Sequence, residues 1–204
     1  MNTFILIVII AVPLLTVAGL FLFFGIKGHG GGFLRPKDWA LDAWSKNVKL
    51  DDPPVAGSIW SFKFPNKDGV HTISKRITGG LTVGKQVSMT FEIIGKNPVF
   101  IAAGETPTVG FYIGAGRIYS NYLNRLPLKL GKQTLIVPLT PDRWSTVDGY
   151  PCNYDQAHIN EFEKSVKLAT TIGPCFGDTH GFAHGANLTA NGGSAEFRML
   201  AFVP

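Results

Sequence analysis

The chain has 204 residues, 45% of them hydrophobic, with 24 glycines, 13 prolines, 15 phenylalanines and two cysteines. Its formal net charge of +5 is carried by scattered lysines and arginines, which excludes a basic stripe able to track phosphates, and with it nucleic acid as the expected partner. Glycine, proline and phenylalanine in these amounts fit one turn-rich all-β body and exclude a helical bundle.

Residues 4–26 carry no charge. As a helix rising ~1.5 Å per residue this run would reach roughly 34 Å, enough for a hydrocarbon core of ~30 Å. The expectation is one N-terminal transmembrane anchor over residues 1–27. A cleaved signal peptide fits less well, because Met1-Asn2-Thr3 supplies no basic residue and the apolar run exceeds the usual ~7–15 residues. Lys27, Arg35 and Lys37 follow at once, and the positive-inside rule would hold them in the cytoplasm. Cys152 and Cys175 argue the other way. Paired, they would close a loop of ~24 residues, add about 3 kcal/mol and mark an oxidising compartment; two free core cysteines are the alternative. The expected location is a bacterial inner membrane, single-pass, with the body in the periplasm.

Residues 28–56 read as a Gly-rich hinge and interfacial segment. A short helix over residues 36–48 would set Trp39 and Trp44 on one face, either at the lipid headgroups or against one end of the body. From residue 57 the period changes to two: in Ser58-Ile-Trp-Ser-Phe-Lys-Phe64, Trp60, Phe62 and Phe64 alternate with Ile59, Ser61 and Lys63. This run and Val70-His-Thr-Ile-Ser74 flank a Pro-Asn-Lys-Asp-Gly turn and read as a hairpin. Further strands are expected over residues 86–94, 99–102, 109–113, 134–139, 166–172, 186–190 and 195–203. About nine strands over residues 57–204 predict an antiparallel β-sandwich, or jelly roll. Residues 141–164 form the longest irregular connection, with a helical turn near 155–162, and long loops are where binding resides.

The succession Ser58-Ile-Trp-Ser-Phe, Gly69-Val-His-Thr-Ile-Ser, Gln86-Val-Ser-Met-Thr-Phe-Glu and Gly193-Ser-Ala-Glu-Phe-Arg-Met-Leu resembles bacterial membrane-anchored β-sandwich domains, themselves similar to the galactose-binding-like jelly rolls of carbohydrate-binding modules. The resemblance spans residues 57–203. It implies a fold, and it assigns no sugar-binding residue.

Candidate sites are few. His180 and His184 with Asp178 have the residue types of a metal site, which His158 or Asp155 would join from the long loop. The neighbouring glycines favour ordinary loop histidines, so no metal and no cofactor is expected. The carboxylates of the long loop show no spacing that singles out an acid–base pair, and no Gly-x-Ser-x-Gly elbow occurs; no enzyme activity is expected. Aromatic contacts for a protein partner or a glycan are offered by Trp39, Trp44, Tyr119, Tyr122, Trp144 and Tyr150. From this architecture the expected function is a non-catalytic accessory subunit of a bacterial inner-membrane complex, photosynthetic or respiratory. Its helix would pack on other spans in the lipid bilayer and its β-domain would cap the extramembrane face. The alternative is a membrane-tethered carbohydrate-binding module at the cell envelope.

Overall fold

The computed structural model describes residues 38–102, 106–114, 118–120, 122–177, 186–188 and 193–204. They form an antiparallel β-sandwich. Its smaller sheet has four strands, in the order β2 (Trp60–Lys63), β13 (Ala195–Val203), β4 (Gln86–Gly95) and β9 (Gly131–Pro138). Its larger sheet has seven. Six run in the order β1 (Trp39–Leu41), β3 (Ile73–Arg76), β11 (Thr171–Gly177), β6 (Thr108–Ile113), β7 (Ile118–Ser120) and β10 (Trp144–Ser145), and β8 (Leu126–Pro127) pairs with β6. A two-stranded ribbon joins β5 (Phe100–Ala102) to β12 (Ala186–Leu188).

The alternation written into the sequence decides which face each strand buries. Along β4, Val87, Met89, Phe91 and Ile93 are buried while Ser88, Thr90, Glu92 and Ile94 are not. Along β13 the inward set is Ala195, Phe197 and Met199. A register shift between Met199 and Ala201 then keeps Phe202 facing inward, as a bulge does. Opposite them, β11 and β6 bring Ile172, Phe176, Val109, Phe111 and Ile113 into the same core. Rings lock the two layers together: Phe62 and Phe197 of the small sheet meet Phe176 of the large one edge-on, at 5.7 and 5.3 Å. The outward face of the small sheet is polar along its middle, with Ile136 and Val203 exposed toward one end, both opposite Ser88. Lys63 lies opposite Glu196, Arg198 opposite Glu92, Glu92 opposite Lys132, and Thr90 opposite Thr134.

The expected hairpin is instead a crossover. β2 pairs with β13 and β3 with β1 and β11, so the turn at Asp68 and Gly69, both at positive φ, carries the chain from one sheet to the other. Alternation shows which face a strand buries and is silent on its neighbour. Trp39, expected on a helix, lies in β1, where its ring meets Trp60 at 5.3 Å and Phe202 at 4.9 Å. The helical turn expected near 155–162 is a full helix, α1 (Gln156–Lys167). Asp155 caps it, and Phe162, Ser165 and Val166 form its buried face.

Two expectations are overturned. Among the described residues no helix is long and apolar enough to cross a membrane, and the run of residues 4–26 lies outside the described residues. The helix described, α1, has 12 residues and seats its apolar side on the sandwich, with Phe162 6.4 Å from Trp144. It has no second apolar face for a neighbouring span, so the single-pass accessory subunit whose helix packs on other spans is set aside. The disulfide is absent as well: Cys152 and Cys175 are both free and buried. Cys175 lies in β11, whereas Cys152 donates its backbone N–H to Trp144 of β10. β6 and β7 stand between those two strands. Three strand spacings amount to roughly 14 Å, twice the ~7 Å that a disulfide tolerates between Cα atoms. Two free thiols carry no mark of an oxidising compartment.

Candidate functional site

The long connection after β10 folds back on itself. Thr146 donates its N–H to the Tyr150 carbonyl at 2.8 Å, and Gly149, at φ 84°, closes the turn onto the Thr146 carbonyl. Pro151 then bridges to Ser145, Cys152 drops into the core, and the Tyr154 N–H returns to the Pro151 carbonyl at 3.0 Å. Asp155 follows in extended conformation and accepts the His158 N–H at 2.8 Å, starting α1 as an N-cap does.

This path gathers three rings that lie four residues apart. Tyr150 and Tyr154 are 5.7 Å apart, Tyr150 and His158 6.0 Å, and Tyr154 and His158 5.4 Å, at interplanar angles of 53° to 76°. Tyr150 is 52% exposed and Tyr154 66%. The rings stand in water beside a fixed carboxylate. Asp155 Oδ1 also lies 2.6 Å from His158 Nδ1. An ionised carboxylate only accepts, so Nδ1 carries the proton, and in the neutral ring this leaves Nε2 as an acceptor.

The backbone N–H of His158, followed by its side chain, holds the Asp155 carboxyl below its ordinary range. A lowered folded-state value means that this contribution to stability is complete above the unfolded value of about 3.9 and is lost as pH falls through the folded one. The first turn of α1 is therefore expected to loosen on acidification, read as lost amide protection around His158. Asp155→Asn, which keeps the cap but cannot ionise, should abolish that pH dependence; an unchanged profile would contradict the assignment.

The other aromatic candidates divide by burial. Trp144 is fully buried and donates Nε1–H to the Pro138 carbonyl at 2.8 Å, and Trp39 is a core residue. Tyr119 lies in β7 opposite Tyr112 and Ser145, and Tyr122 opens a 3-10 turn. Trp44 is exposed beside His71. His180, His184 and Asp178 lie outside the described residues. Among the described residues no group of three or more His, Cys, Asp or Glu could hold a metal ion, and Asp155 and His158 are bonded to one another.

Both thiols are buried in the core. Burial, with Glu161 adding to it, pushes Cys152 up to about 12, so it stays protonated at neutral pH. Cys175 donates its S–H to the Phe111 carbonyl and accepts a bond from the buried Arg125 guanidinium at 3.0 Å. The grouping of Tyr150, Tyr154 and His158 escaped the sequence reading. Its signal was the spacing Tyr150, Tyr154, His158 with Asp155 three residues before the histidine.

No family model, no curated protein and no solved structure matches the chain. The sandwich half of the sequence resemblance stands on the fold, and the family half gains no support.

Proposed function

We propose that the chain is a carbohydrate-binding module that takes its ligand at Tyr150, Tyr154 and His158. The observation that carries this reading is the exposure of two tyrosines in mutual contact with an imidazole whose tautomer is fixed by a carboxylate. The apolar C–H face of a pyranose packs on aromatic faces, while its hydroxyls need acceptors at set positions. His158 Nε2 and the second oxygen of Asp155 supply them. The outward face of the small sheet is the other place where a sandwich can hold a glycan, and its polar rows, Lys63–Glu196 and Arg198–Glu92–Lys132, offer no ring. The loop end is the better site. The finer likeness to galactose-binding-like jelly rolls belongs to this proposal, as does the reading of the module as non-catalytic.

The test is calorimetric titration of the full chain with saccharides selected on a glycan array. Tyr150→Ala and Tyr154→Ala should each weaken binding by about tenfold or more, the loss of a buried aromatic hot spot at ~1.4 kcal/mol per decade. Both side chains are exposed, so the melting temperature should hardly move. An array without a bound saccharide, or a double variant that binds like the parent, would overturn the proposal.

A further inference from the structure

The turn after β1 displays a tryptophan that the fold does not use. Of the four tryptophans in the chain, Trp39, Trp60 and Trp144 are buried, whereas Trp44 is 68% exposed. The turn that carries it is tied down. Ser45 donates both its N–H and its hydroxyl to Asp42 Oδ1, at 2.8 and 2.6 Å. The Ser45 hydroxyl oxygen accepts the His71 N–H at 2.9 Å. Lys46 N–H reaches the Gly69 carbonyl, and Asn47 Nδ2 donates to Asp68 Oδ2 at 2.7 Å. Trp44 and His71 meet edge-to-face, 5.8 Å apart at 86°. Beside them lies a shallow cleft of about 510 Å³, lined by Ala43, Trp44, Lys46, Asp68 and His71.

We propose that this cleft is a second saccharide site, selective for a sugar that carries a carboxylate. Trp44 supplies a preorganised aromatic wall whose ordering is already paid for by the turn. Lys46, exposed and paired with no carboxylate among the described residues, meets the acid group. Asp68, oriented by Asn47, accepts from hydroxyls. The other ligand classes fit worse. A polyphosphate would meet one ammonium and the Asp68 carboxylate together, a cation would face Lys46, and an apolar peptide would find Ala43 as its only other apolar contact. The site shares no residue with the Tyr150 cluster. Trp44 follows β1 and Tyr150 follows β10, the two edge strands of the large sheet. These edges run in opposite directions through five antiparallel pairings, so the sites occupy diagonally opposite corners and either can fail alone.

The test uses the full chain with tetragalacturonate, its methyl ester and a hyaluronan tetrasaccharide, read by calorimetry and tryptophan emission. Because Trp44 is the exposed indole, acid-sugar binding should shift emission to the blue and protect it from iodide quenching. Trp44→Ala should weaken binding tenfold or more and remove the emission change. Lys46→Gln should weaken the acid about threefold to fivefold, as an exposed ion pair would, and leave the ester unaffected. Tyr150→Ala should change neither. Binding of neither acidic probe, equal affinity for acid and ester, or losses in Tyr150→Ala that match those in Trp44→Ala would each overturn the proposal.

Discussion

Replacing Phe197 by alanine is expected to cost about 4–5 kcal/mol, the upper end of what a buried phenylalanine contributes. The side chain is fully buried at the middle of β13. It stacks nearly parallel on Phe91, Phe62 and Trp60, at 4.9, 5.5 and 5.5 Å, and meets Phe176 edge-on at 5.3 Å. Truncation removes the transfer free energy of the ring, leaves a cavity that four rigid rings cannot collapse into, and forfeits ring pairings worth about 0.5–1.5 kcal/mol each. Against a total stability of about 5–15 kcal/mol for a domain, most of the margin disappears. Denaturant unfolding should show the midpoint falling sharply at unchanged slope. Phe197→Leu, which restores much of the volume without the stack, should lose about 1.5 kcal/mol. Equal losses in the two variants would mean that ring contacts add nothing beyond area.

Gly173→Ala is expected to be nearly as damaging, at about 3 kcal/mol, for a different reason. β3 passes so close to β11 there that a Cβ on Gly173 would sit 2.0 Å from the Ile73 carbonyl oxygen and 2.9 Å from the Ser74 Cα. Both atoms are backbone, so no rotamer change relieves the clash. The partners Ile172–Lys75 and Thr72–Cys175 flank the spot, and Pro174 has no N–H to add to the ladder. Separation of β3 from β11 is the available response. Hydrogen exchange should therefore rise first in β3 and β1 and leave the β4–β13 ladder protected. Gly79, at φ +83°, is the control, because a Cβ there would meet nothing within 4 Å. Alanine at that position should cost only the ~1 kcal/mol of left-handed strain. Uniform exchange across both sheets in Gly173→Ala would refute the local account.

Most of the small sheet was legible in the sequence, because β4 and β13 bury one face each and so alternate cleanly. The large sheet was less so. β7, β8 and β10 are only two or three residues long, too short for any period. Residues 36–48 suggested a helix because Trp39, Ala43 and Trp44 fall at helical spacing. Burial of Trp39 against Trp60 and Phe202 selects a strand, and the Asp42–Ser45 bonds end it. The expected strand over residues 166–172 spans a boundary: Val166 and Lys167 belong to the last turn of α1 and Ile172 to β11. At the site, sequence named Trp144 and Tyr150 alike. Only the pairing of β10 with β7, which turns Trp144 inward, tells them apart.

The margins of the two sheets bear on how the molecule keeps to itself. An unpaired strand is a template for a second chain, and its danger grows with its length. The large sheet is bounded by β1 and β10, of three and two residues, which present too little backbone to seed a growing stack. In the small sheet, β9 is the long boundary strand, with eight residues. It opens on Gly131-Lys132 and closes on Pro138, a charge and an absent donor that interrupt intermolecular pairing at both ends. Self-association, where it is provoked by heat or mutation, should begin along β9.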